Sequence, residues 1–198
     1  MRCRTMLSVT LVLPLATVAL ATEAPSAGPY AGEEGRAIKS LSAEDIAELR
    51  RGGGWGLAKA AELNGMPGPT HLLELQGAIP LEAAQVVALE TLFEAMQADA
   101  IAVGEELIRL EAALDTQFRD ATITEASLGE LLAQIAETRA RLRYIHLAAH
   151  LATPSLLSDQ QISRYNMLRG YAEAGDACAG EAPAGHDPAM WRRHQGCD

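Results

Sequence analysis

The residues best suited to chemistry in this chain are its histidines. His146 and His150 stand four apart in the run His146-Leu147-Ala148-Ala149-His150. On a helix that spacing sets two imidazoles on one face, the way a helix offers two ligands to one transition metal. A zinc hydrolase of this pattern needs glutamate after the first histidine, and Leu147 occupies that position, so binding without catalysis is what the pair supports. The structural alternative is that two imidazoles in the last turns of a helix simply favour its negative end, a term of about 0.3–1 kcal/mol, and an acidic neighbouring helix. His71 and Glu74, three apart, add two more ligands if their own helix folds back onto this one.

A softer set lies near the C-terminus, where His186, Met190, His194 and Cys197 suit copper or zinc. Zinc, copper, nickel and cobalt are therefore the ions to consider, with no cofactor demanded outright. Cys178 and Cys197 are most simply a disulfide in an oxidising compartment, with thiolate metal ligation as the alternative. Nothing assembles a nucleophile with a base. Gly52-Gly53-Gly54-Trp55-Gly56 follows no strand and lacks a closing Lys-Ser/Thr, so it reads as a helix stop and not a phosphate cradle. The chain is not read as an enzyme.

The first residues set the compartment. Arg2 and Arg4 precede an uncharged apolar run from Leu7 to Leu20, interrupted by Pro14, and Ala19-Leu20-Ala21 gives a small-x-small cleavage pattern. That is a signal peptide over residues 1–21, too short for a membrane span, and it predicts export with no anchor after cleavage. Taking Arg2 and Arg4 from the 16 Lys and Arg leaves 14 basic residues against 26 acidic ones, a mature net charge near −12. An acidic chain with 4% aromatic residues excludes nucleic acid as a partner, because phosphate contacts need clustered cations and base stacking needs rings.

The elements that must position these groups are helical throughout. Residues 22–35 read as a flexible lead, rich in Ala, Pro, Gly, Ser and Glu. Ser42 caps a short helix that ends at Gly52-Gly53-Gly54; Trp55 to Asn64 forms a second; Pro69 opens a third through Leu75. After Pro80, the steps of four and three along Leu89, Phe93, Met96, Ala100, Val103, Leu107, Leu110 and Leu114 predict one helix from about Leu81 to Phe118, roughly 57 Å long. Thr124, with Ile123 and Leu128 as a hydrophobic staple, caps a second long helix presenting Leu128, Leu132, Ile135, Leu142, Ile145 and Ala149 and ending before Pro154. Ser158 and Gln161 form a capping box for the last helix.

The fold class is all-α: a long antiparallel helical hairpin with an additional C-terminal helix and short N-terminal helices. Residues 36–175 form one helical domain and 176–198 a flexible tail. The apolar stripe of the first long helix exceeds what one hairpin partner covers, which predicts a homodimer.

The last helix opens with Leu157-Ser158-Asp159-Gln160-Gln161, and the long helix opens with Leu81-Glu82-Ala83-Ala84-Gln85. These two copies of a Leu-Thr-x-x-Gln motif, the second with Ser for Thr and the first with Glu82 in the hydroxyl position, make the chain resemble the Spy/CpxP group of periplasmic helical proteins. The resemblance covers about Leu81 to Tyr171 and leaves residues 36–75 outside it. It implies envelope-stress or heavy-metal sensing by binding, with a membrane-bound regulatory partner. It also implies ATP-independent holding of unfolded envelope proteins, for which a basic concave face is the family's device and an acidic chain is a departure. A purely structural envelope scaffold is the remaining alternative.

Overall fold

A computed structural model describes residues 27–172. The signal-peptide reading, Cys178, Cys197, His186, Met190 and His194 all lie outside the described residues. The chain divides into Met1–Gly32 and Glu33–Asp198. In the first, Ala31 N donates to Gly28 O across a turn (3.0 Å). Among the described residues the α-helices belong to the second: α1 (Ala43–Arg50), α2 (Lys59–Glu62), α3 (Pro69–Glu74), α4 (Ala83–Arg119), α5 (Glu125–Ala152) and α6 (Asp159–Leu168). Among the described residues there is no strand, and no helix is long and apolar enough to cross a membrane.

The hairpin of α4 and α5 is the frame, and its caps follow the local sequence. Thr124 Oγ1 accepts from Ser127 N (3.1 Å) at the start of α5, and Ser158 Oγ accepts from Gln161 N (3.3 Å) at the start of α6. Glu82, with no hydroxyl, takes the extended N-cap conformation of α4 all the same, because Gln85 Oε1 accepts its N–H at 2.9 Å. Along α4, Leu89, Met96, Ala100, Val103, Leu107 and Leu110 are buried, as their spacing predicts.

The stripe on α5 corrects one expectation. Leu132 is 48% exposed and Leu131 is buried in its place, together with Thr138. The packed positions step by three from Leu128, then alternate four and three through Leu131, Ile135, Thr138 and Leu142. Two adjacent leucines fit a helical wheel almost equally well, and the apposition to α4 selects between them.

The N-terminal segment belongs to the same domain. Ile38, Leu41 and Leu49 join Ala100, Val103, Leu107, Leu110, Leu131, Ile135 and Leu142 in a first core. Gly104 permits this close crossing: a Cβ there would lie 2.7 Å from Leu49 O. The long apolar stripe is thus covered inside one chain, and it does not by itself call for a second copy. Trp55 and Gly56 have φ of 43° and 70°, so the predicted helix from Trp55 cannot begin there and α2 starts only at Lys59. Trp55 instead braces α1 against α5, its indole N–H donating to Asp45 Oδ1 (2.7 Å) and its ring lying under Arg139 (4.8 Å). That hydrogen bond is the chief reason the Asp45 carboxyl titrates below its ordinary value.

A second core of Leu72, Ile79, Leu89 and Tyr165, flanked by Leu81, Leu156 and Leu157, joins α3, the start of α4 and α6. Between α5 and α6 a 3-10 turn, Thr153–Leu156, carries Pro154.

Candidate functional site

Two polar constellations meet at the second core. In the first, the two motif glutamines interlock. Gln85 Oε1 accepts from Glu82 N and Gln161 Oε1 from Ser158 N, each at 2.9 Å, so each amide oxygen caps its own helix. Each amide nitrogen then crosses over: Gln85 Nε2 donates to Leu156 O (2.7 Å) and Gln161 Nε2 to Pro80 O (2.8 Å), the residues just before the two motif leucines. The amides also bond each other, at 3.0 and 2.8 Å. Leu81 and Leu157 pack beside this pair on the second core. The arrangement has local twofold character, and a five-residue repeat that looked like two separate helix caps is one joint between α4 and α6.

The second constellation centres on Glu62, a carboxylate at the end of α2 that is only 9% exposed. The hydroxyl of Tyr165, on α6 and fully buried, donates toward both of its oxygens, at 2.9 Å to Oε1 and 2.7 Å to Oε2. Burial, and then this carboxylate, push the Tyr165 phenol far above its ordinary range, so it remains a donor at any working pH. His71 Nε2 and His150 Nε2 both lie 3.9 Å from Glu62 Oε1.

The other nitrogen of each imidazole is committed. His150 Nδ1 lies 2.9 Å from Met66 O, and His71 Nδ1 lies 2.9 Å from Glu74 Oε2. A backbone carbonyl and a carboxylate only accept, so both Nδ1 atoms carry hydrogen. Each Nε2 therefore stands near the carboxylate oxygen either as an N–H of the imidazolium, forming an ion pair, or as the lone pair of the neutral ring, which a bound cation would satisfy. Carbonyl or carboxylate partners on the distal nitrogen are also what hold metal-ligating histidines in orientation. His150 lies with its ring against the backbone, since a Cβ on Gly68 would come 2.4 Å from Nε2 and 2.6 Å from Cε1.

The two histidines paired in the sequence have different hydrogen-bond surroundings. His150 belongs to the Glu62 cluster, and His71 with Glu74 is brought to it by α3. His146 is buried at 3% exposure with Nε2 unpartnered, and burial lowers its pKa, helped by His150 and opposed by Glu48. Both imidazoles share one face of α5, and His150 stands near enough to bear on the titration of His146. Among the described residues, no group of three or more His, Cys, Asp or Glu side chains stands in an arrangement that could hold a metal ion. Ligand atoms around a tetrahedral ion with bonds of about 2.0–2.2 Å lie roughly 3.3–3.6 Å apart. The two separations of 3.9 Å are somewhat wider than that.

Glu62 and Tyr165 are the functional residues that sequence reasoning passed over. Glu62 is the one acid in the stretch Leu57 to Leu63, between Ala61 and Leu63, and an acid inside an apolar run is the signal that marks it. Tyr165 stands at helical spacing from Ile162 and Leu168 on the last helix, and nothing in the sequence marks its hydroxyl for a partner 103 residues away. No protein-family model, no curated protein and no solved structure matches this chain.

Proposed function

We propose that the chain is an exported protein of the cell envelope, of the Spy/CpxP type, that senses a transition-metal ion by binding it and performs no catalysis. The observation that carries this reading is the convergence of His71 Nε2 and His150 Nε2 on Glu62 Oε1, with both Nδ1 atoms held by oxygen acceptors. The interlocked Gln85 and Gln161 support the family type, because they give the repeated motif a single purpose. Two imidazoles and a carboxylate suit zinc, nickel, cobalt or copper(II), and offer no thiolate or thioether to copper(I).

The test is a calorimetric titration with each of those ions of the chain expressed for export and purified after processing. One ion should bind at one site in the parent and in His146→Ala, and fail to bind in Glu62→Gln and His150→Ala. Binding that survives Glu62→Gln, or no binding by any ion, overturns the proposal.

A second reading, the holding of unfolded clients, has one observation in its favour. Tyr144 and Leu151, seven apart and so on one face of α5, are 72% and 73% exposed. Suppression of aggregation of an unfolded client at near-stoichiometric amounts, abolished in Tyr144→Ser/Leu151→Ser, is the result this reading requires.

A further inference from the structure

The Glu62 cluster and the glutamine joint are four residues apart on α6, one helical turn, and their connections run through the same helix. Tyr165 holds Glu62, the carboxylate that the metal-sensing reading makes a ligand. The next residue, Asn166, donates from Nδ2 to Gly65 O (3.2 Å). Gly65, at φ of 78°, turns the chain directly before Met66, whose carbonyl fixes the His150 tautomer. Two neighbouring side chains of α6 therefore grip both ends of the segment that carries Glu62 and orients His150.

What holds α6 in turn is the second core under Tyr165 and the joint of Gln161 with Gln85 and Pro80 O. Glu62 also has two oxygens with separate tasks. The shorter phenol bond is to Oε2 (2.7 Å), while Oε1 is the atom both imidazoles face. An ion on Oε1 leaves the Tyr165 bond to Oε2 in place, so occupancy adds to the docking of α6 and does not compete with it. Without the ion, the hydrogen bond to this buried carboxylate comes from the Tyr165 hydroxyl, and the docking is weaker.

We propose that ion binding at the Glu62, His71 and His150 cluster and closure of the Gln85–Gln161 joint are coupled through Tyr165 and Asn166, making α6 the element that reports occupancy. The proposal rests on the metal-sensing reading and adds its regulation. Tyr165, Asn166, Gln85 and Gln161 are positioning residues: they act on the site through Glu62 and Met66. Coupling of this kind is reciprocal, so an ion that tightens α6 must itself be bound more weakly when α6 is loosened from its far side.

Zinc is the probe, and hydrogen exchange of the α6 amides is the first readout. In the processed wild-type chain, saturating zinc should slow exchange across residues 159–168 while leaving the α4–α5 contact near Leu107 unchanged. Gln85→Ala/Gln161→Ala, which touches no proposed ligand, should weaken zinc binding by about fivefold or more, the usual lower bound of allosteric coupling. Tyr165→Phe keeps the buried ring but removes the hydroxyl, and in that background the glutamine substitutions should have a smaller effect on zinc affinity.

Zinc that binds to the wild type without slowing α6 exchange overturns the coupling and leaves the sensing reading standing. Unchanged affinity in a folded glutamine variant does the same. Absence of zinc, nickel, cobalt and copper(II) binding in the wild type removes the sensing reading, and the coupling with it. If the glutamine variant fails to fold by circular dichroism, the exchange result on the wild type decides alone.

Discussion

The two cores of this domain are built on different principles. The first, under α1 and between α4 and α5, is Leu, Ile, Val and Ala meeting across close helix crossings such as Gly104 against Leu49. The second has an apolar floor of Leu72, Ile79 and Leu89 but is closed by hydrogen bonds: Tyr165 on Glu62, and Gln85 on Gln161. An apolar core needs only shape and is insensitive to pH or ions. A core closed by a carboxylate, a phenol and two amides depends on each of those hydrogen bonds being made, and under the proposed function its stability would also respond to a bound ion.

The largest effect that tests this division comes from the first core. Leu107→Ala, at a fully buried position, should destabilise the domain by about 2–5 kcal/mol in denaturant unfolding, with ion affinity unchanged where the variant is still folded. Gly68→Ala should do the reverse. Its new Cβ would fall 2.4 Å from His150 Nε2, displacing the ring at a cost of about 1–3 kcal/mol, and should reduce ion binding more than tenfold in the same calorimetric titration. Equal losses of ion affinity in the two variants would erase the distinction between the cores.

His146 gives a pH-dependent contribution from its burial on α5. Its folded pKa lies below the ordinary 6.5, chiefly through burial, while the unfolded chain takes up its proton near that ordinary value. The stability it contributes is therefore full above 6.5 and is lost as pH falls through the lower, folded value. Urea midpoints at about pH 7.5 and about pH 5.5 should lie closer together in His146→Leu than in the parent. The smallest effect belongs to the exposed outer faces: Arg141→Ala, which breaks a 3.2 Å pair with Glu106, should change stability by no more than about 1 kcal/mol.

How far the sequence could be read follows the same division. The two long helices, the caps at Ser42, Thr124 and Ser158, and the buried stripe of α4 are local or periodic signals, and each stands where its spacing puts it. Trp55 escaped because a left-handed conformation at a bulky residue is imposed by its tertiary partners, Asp45 and Arg139, and not by its neighbours. The joint escaped because a capping box accounts for only one oxygen of each glutamine, and the amide nitrogens act across the fold. At the candidate site, His150, His71 and Glu74 were visible as spacings on their own helices. Glu62 and Tyr165 became visible only when α2 and α6 met. His146 was set with His150 because a helical wheel shows which face a side chain is on and not what covers it.

Nitrogen-15 spectra of the histidine rings, recorded on the processed chain with and without zinc, test the central claim most directly. The account predicts the Nδ1–H form for His71 and His150 without metal, a large zinc-induced shift at Nε2 of both, and no such shift at His146. Nε2 resonances of His71 and His150 that stay unmoved under saturating zinc, or a shift at His146 in their place, would contradict it.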